Sequence, residues 1–204
     1  MTEERVRRPL IVRALAAALD HSRRGPLTLR ERIVYVRSLM SPVDRVPARV
    51  EATFTFDPPL VDGGVGGLGT ELPVLDHDFR ALVGGREAYR MRVSLDGAST
   101  ARLVPETDVP PRVVFFYDCF THADSRGQGL YPASLTSAMR MLADLRYERA
   151  YIRVHRGNQA SIAGIEKAGF TRCGRIVHAA VFGFPLGPWK RPESGSGRDE
   201  RERT

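Results

Sequence analysis

The sequence has 204 residues, 42% of them hydrophobic, and a formal net charge of +7. That supports one domain with extensions, and no apolar run approaches the ~20 residues of a membrane-spanning helix. Two cysteines, Cys119 and Cys173, exclude a disulfide framework and make a reducing cytoplasm the default location.

In chain order, Arg8 to His21 reads as an amphipathic helix ended by the Arg23-Arg24-Gly25-Pro26 breaker cluster. No small-residue cleavage site marks it as a signal peptide. Thr28 is placed to cap a second helix over Leu29 to Met40, although the isoleucine, valines and tyrosine in that run leave a strand open. The domain organisation expected is therefore an N-terminal helical segment over 1–45, a main domain over 46–188 and a charged, disordered tail over 189–204. Arg49 to Phe56 alternates as a half-buried strand does.

Gly64-Val65-Gly66-Gly67-Leu68-Gly69 formally matches a dinucleotide-binding fingerprint. Asp57-Pro58-Pro59 before it and Pro73 after it deny it the required strand and helix, so it reads as a loop with lid potential. Glu71, Asp76, His77 and Asp78 form a polar cluster after it, read as a solvated loop with acceptor recognition as the sharper alternative. Tyr89 to Leu95 alternates again, Asp96-Gly97 starts a turn, and Thr100 to Val104 is a candidate return strand.

Arg112 to Thr121 (RVVFFYDCFT) is rich in β-branched and aromatic residues and reads as a buried central strand. A helical pattern follows to about Tyr147, so Arg126-Gly127-Gln128-Gly129 occupies a strand-to-helix turn. Glycine permits sharp bends and close ligand approach, and the free N–H groups of a helix start make an anion cradle. Arg149 to His155 is a strand, parallel to the central one because a helical crossover joins them. Asn158 caps a helix over Gln159 to Ala168, with Gly169 as its left-handed stop, and one or two strands follow over Phe170 to Phe184.

Arg126-Gly127-Gln128-Gly129-Leu130-Tyr131 resembles the R/Q-x-x-G-x-G/A turn of the GCN5-related N-acetyltransferase (GNAT) family. Asn158-Gln159-Ala160-Ser161, closing in Gly169-Phe170, resembles its second signature, in the right order and with a strand between. The resemblance covers roughly Arg112 to Phe184. It implies an α+β acyltransferase fold, with a mixed, mostly antiparallel sheet and helices on both faces. It also implies acetyl-CoA as co-substrate and an N-acetyltransferase acting on a small amine. Cys119, Phe120 and Thr121 would pair with pantetheine, and the segment Gly127, Gln128, Gly129, Leu130, Tyr131 and Pro132, introduced by Arg126, would hold the pyrophosphate. Asn158 would contact the pantetheine arm. The R-G-x-G-L-Y-P form is similar to enzymes that modify surface sugars, which adds an amino sugar to the candidate acceptors. Two positions depart from the pattern: Tyr131 stands where a Gly or Ala is usual, and Ile165 where many members carry a proton-donating tyrosine.

Acyl transfer to an amine needs a base, fixed donors for an oxyanion and a departing thiolate. A thiol pKa near 8.5 lets that thiolate leave without a strong acid, and a water or the hydroxyl of Tyr117, Tyr131 or Tyr151 can replace the missing tyrosine. His155 at its strand end is the first base candidate, since histidine titrates near neutrality, and Asp118 is the second. His122, like Asp118, is placed to face an acceptor pocket or to serve a structural role, and Arg153, on the same face as His155, reads as neutralising an anionic acceptor or as a strand-edge charge. Cys119 reads as an apolar filler and not a nucleophile. No Cys/His spacing suggests a metal. The rival readings are an acyl-CoA-binding module without turnover and a basic nucleic-acid binder, the latter disfavoured because the arginines are spread along the chain. No membrane partner is expected, and a homodimer is left open.

Overall fold

The computed structural model describes residues 27–60, 76–181 and 184–192. The expected helix over Arg8 to His21, the glycine-rich loop with Glu71, and residues 193–204 of the tail lie outside the described residues.

One eight-stranded sheet organises the chain. Its strands are β1 (Leu27–Ser38), β2 (Thr53–Asp57), β3 (Asp76–Val83), β4 (Arg86–Ser94), β5 (Val113–Thr121), β6 (Arg149–His155), β7 (Thr171–Val181) and β8 (Phe184–Pro192). They lie in the order β2-β3-β4-β5-β6-β1-β7-β8, and β5–β6 is the parallel pair in an otherwise antiparallel sheet. Among the described residues the helices are α1 (Gly97–Leu103), α2 (Leu130–Asp144) and α3 (Gln159–Lys167). Among the described residues no helix is long and apolar enough to cross a membrane.

The helices cover both faces. On one, Leu135, Ala138, Met139 and Leu142 of α2 and Ile165 of α3 pack on Phe79, Met91, Val114, Phe116 and Ile152. On the other, Leu103 at the end of α1, with Val104 and Val109, covers Val34, Val113, Phe115 and Tyr151. This is the α+β layer arrangement expected.

Several expectations are corrected. Leu29 to Met40, expected as the second helix of the 1–45 segment, falls largely in strand β1, which pairs with β6 on one side and β7 on the other. Ile33, Val34 and Tyr35 are buried in succession, as an interior strand covered on both faces requires, so tertiary pairing overrides the helical spacing. Thr100 to Val104, expected as a strand, falls mostly in α1. Asp96 does not start a hairpin but caps this helix, its Oδ1 accepting from the N–H groups of Ala98 (3.0 Å) and Ser99 (3.1 Å). Trp189 to Pro192, expected in the tail, complete β8. Asp76 to Asp78, read as loop, open β3, with His77, Phe79 and Ala81 facing in.

β1 is tied to its neighbours by Glu31, which accepts from Arg156 (2.9 Å) and Arg175 (3.1 Å). The Arg175 hydrogen bond first, then Arg156, holds its carboxyl below the usual carboxylate range. A depressed pKa contributes stability above the unfolded value near ~4.3 and loses it as pH falls through the folded value. Glu31→Gln should therefore cost about 0.5–1 kcal/mol at pH 7. The gap from wild type in urea midpoint should close as the pH is taken from 5 towards 3, and a pH-independent gap would refute the linkage.

Candidate functional site

The centre of the sheet comes apart at β5. Its parallel pairing with β6 runs from Val113↔Arg149 to Phe116↔Ile152 and stops, although β5 continues to Thr121 and β6 to His155. On the other side of β5, Arg92 opposes Tyr117 while Arg90 opposes Phe120, so Met91 alone faces both Asp118 and Cys119. This is a β-bulge, with Asp118 at φ 49°, in the left-handed region. The extra residue bends β5 away from β6 and leaves main-chain groups of the last residues of β5 without a strand partner on that side. A non-glycine residue in this conformation at a strand's divergence marks strain that surrounding structure must hold in place.

Just beyond, a 3-10 turn (Ala123–Ser125) leads to the glycine turn. Gly127 (φ 74°) and Gly129 (φ 73°) are both left-handed, and Gly129 is the N-cap of α2. With no side chain, Gly129 caps none of the first-turn N–H groups, which stay open to a ligand. A Cβ on Gly127 would meet nothing within 4 Å, so space is open on that side. Arg126 donates from Nε to the Thr121 carbonyl (3.3 Å), and Arg49 braces the turn from behind through its N–H to Gln128 O (2.8 Å). Pro132 lies in the first turn, where it costs no hydrogen bond. These features fit an anionic diphosphate.

Leu130 is buried in the core. Tyr131 turns inward, its ring 5.8 Å from that of Tyr89. Room comes from α3, where a Cβ on Gly164 would lie 2.5 Å from Tyr131 Cδ1. Ile165, next to that glycine, is fully buried in the core. Gly164→Ala should therefore lose about 1 kcal/mol net, overpacking of about 1–3 kcal/mol exceeding the helix-propensity gain of about 1 kcal/mol. Urea denaturation reads this directly, and a stabilised variant would mean the ring shifts freely.

Asn158 caps α3, its Oδ1 accepting from Ser161 N (3.1 Å). Gly169, at φ 84°, ends it in a Schellman pattern, Gly169 N donating to Glu166 O (2.9 Å) and Phe170 N to Ile165 O (3.4 Å).

Asp118, Cys119 and Phe120 line a cavity of about 630 Å³ together with Asp78, Arg90, Met91 and Arg92. Burial pushes the Cys119 thiol up to about 11, which keeps it protonated and unreactive. His155 is not among the lining residues. Its Nδ1 accepts from Gly157 N (3.2 Å), which in the neutral ring places the proton on Nε2. Arg153 packs over Phe115 on the sheet's second face (5.5 Å), and His122 Nε2 lies 3.3 Å from Glu87 at the edge. Tyr151 donates to Glu106, and Tyr117 is pushed up to about 12 by burial and then by Asp76. Tyr131 interacts with the Cys119 thiol, and burial raises its pKa strongly. Sequence reasoning missed Arg90 and Arg92, whose signal was the alternation of Tyr89 to Leu95 across from a second alternating run.

No family model and no curated relative matches the chain. Among solved structures it is similar to a GCN5-related N-acetyltransferase from Sphaerobacter thermophilus, with TM-score 0.54 and 14% identity over 81% of this chain and 56% of that one. It is also similar to a GCN5-related N-acetyltransferase from Kribbella flavida, with TM-score 0.50 and 12% identity over 78% of this chain and 61% of that one. The chain has the GCN5-related N-acetyltransferase fold. The chain spans 56% and 61% of the length of these two structures.

Proposed function

We propose that this GNAT-fold chain is an acetyl-CoA-dependent N-acetyltransferase acting on a small-molecule amine. The observation that carries the reading is the parting of β5 from β6 beyond Phe116 and Ile152, leading into an uncapped helix start with two left-handed glycines. Acetyl-CoA supplies a thioester carbonyl as electrophile.

The main-chain N–H groups of Gly127 to Tyr131 hold the pyrophosphate, with Arg126 at the mouth and Pro132 fixing the helix start. The main chain of Cys119, Phe120 and Thr121, without a strand partner on the β6 side, lies along the pantetheine as a substitute strand, and a donor there holds the carbonyl oxygen as it gains charge. Asn158, with Oδ1 committed to its cap, offers its amide nitrogen to the pantetheine arm. The amine nitrogen bonds to the acyl carbon as the carbon–sulfur bond breaks. The amine proton passes to Asp118, directly or through one water, and the departing sulfur takes up a proton. Among the hydroxyls of the tyrosines considered, that of Tyr131 interacts with Cys119 on the parted strand, but burial raises its pKa strongly, so a water is the proton source we assign to the sulfur.

Calorimetry with CoA and a thiol-release assay with acetyl-CoA and an amine panel, amino sugars included, test the reading. Saturable binding and amine-dependent thiol release are expected, and absence of CoA binding would overturn it. The burial of Ile165 favours one second reading, CoA binding without turnover, for which binding would persist while every amine failed.

A further inference from the structure

On the sheet face that carries Asp118, two cross-strand rows run through β2, β3, β4 and β5. One is Asp57–Asp78–Arg92–Tyr117, and the other is Thr55–Arg80–Arg90–Phe120. The first row is balanced, for Arg92 Nη2 lies 3.4 Å from Asp76 and its Nε 3.9 Å from Asp78, with the guanidinium over the Tyr117 ring. The second sets Arg80 directly opposite Arg90. Like charges so placed repel. Arg80 is neutralised by Asp57 (3.1 Å), Asp78 (3.6 Å) and Glu87 (3.5 Å). Arg90 has no such counterion: among the described residues it makes no ion pair, and its guanidinium lies over the Phe120 ring at 5.6 Å. Phe120 thus holds in place a cation that lines the same cavity as Asp118.

Asp57, Asp76, Asp78 and Glu87 are engaged by Arg80 and Arg92, and further cations lie beyond Asp118. Arg153, which senses the Asp118 charge, has its own pKa lowered by burial and then by Arg32, and His178 is lowered by burial and then by the same two arginines. An acceptor entering here meets Asp78 and Arg92 already engaged in ion pairs, the Asp118 carboxylate at the bulge, suited to an ammonium or amine, and the stacked Arg90 guanidinium without a counterion, suited to a planar or tetrahedral anion.

We infer that the acceptor is a primary amine carrying a carboxylate or phosphate, with Arg90 binding the anionic group and Asp118 facing the nitrogen. The inference rests on the acyltransferase reading for the identity of the site, but not for the charge preference itself. The specificity is a difference of affinities: an acceptor lacking the anion leaves Arg90 facing Arg80 with no counterion.

The test uses matched pairs, each an anionic amine and its neutral methyl ester or amide, in the thiol-release assay with acetyl-CoA. The anionic member should have kcat/KM at least about tenfold higher, a difference that ordinary single charge contacts reach. Arg90→Ala should collapse the ratio towards one, mainly through KM of the anionic member, and Arg90→Lys should restore part of it. Equal turnover of both members, or a ratio unchanged in Arg90→Ala, overturns the inference while leaving acyl transfer standing. The same pairs titrated without acetyl-CoA, followed by NMR of the arginine Nε–H signals, decide the matter should no amine be turned over. A shift of the Arg90 signal by the anionic member only, lost in Arg90→Ala, supports the inference, and no shift, or an equal one from both members, overturns it.

Discussion

Gly127→Asp should bind CoA about 100-fold more weakly than wild type while remaining folded. The position is left-handed, at φ 74°, and aspartate is among the few residues that tolerate such a conformation. A Cβ there meets nothing within 4 Å, so the fold has room for it. The carboxylate would stand in the space assigned to phosphate oxygens and oppose them, turning an attractive helix end into a repulsive one. Gly84→Asp is the control. Gly84 is also left-handed, at φ 55°, with open space around it, but it sits in the β3–β4 hairpin. Both variants should lose a similar small amount of stability, and CoA affinity should fall in Gly127→Asp alone. Calorimetric affinities equal in the two variants would remove the pyrophosphate from this turn.

Phe116→Ala should lose about 3–5 kcal/mol, a large share of a typical domain's stability. Phe116 is fully buried, lies in the last β5–β6 pair before the strands part, and meets Phe170 edge-on with centroids 6.3 Å apart. Truncation there opens a cavity between β5 and the Phe170 ring that follows α3, where a rigid interior cannot collapse to fill it. Phe120→Ala, four residues along the same strand and 41% exposed, should lose less than about 1 kcal/mol. Urea unfolding of both variants reads the contrast, and similar losses would mean that the two rings are equally well packed.

What the sequence made legible depended on how local the physics was. Arg149 to His155 matches β6, and Asn158 and Gly169 bound α3 as expected, because capping and left-handed stops are written within a few residues. The glycine turn and its helix were legible for the same reason. β1 was not, because its partners lie on β6 and β7, far along the chain, and only that pairing makes a strand of a run with helical spacing. β3 was missed although Gly84-Gly85, both left-handed, make the two-residue hairpin that predicts it. Asp76 and Asp78 read as solvated loop because their charges face outward on a half-exposed strand. At the site, the bulge at Asp118 and the Gly157 N–H on His155 are set by backbone geometry, and neither leaves a mark in residue types.

The placement of β1 also governs when the molecule can be completed. Arg32 sits between His155 and Ile176, partners translated more than a hundred codons later. During synthesis this apolar ribbon must wait beside the ribosome until residues through Val181 have emerged. It is then that β6 and β7 can close around it, so assembly is a late and comparatively slow event that a holdase chaperone would assist.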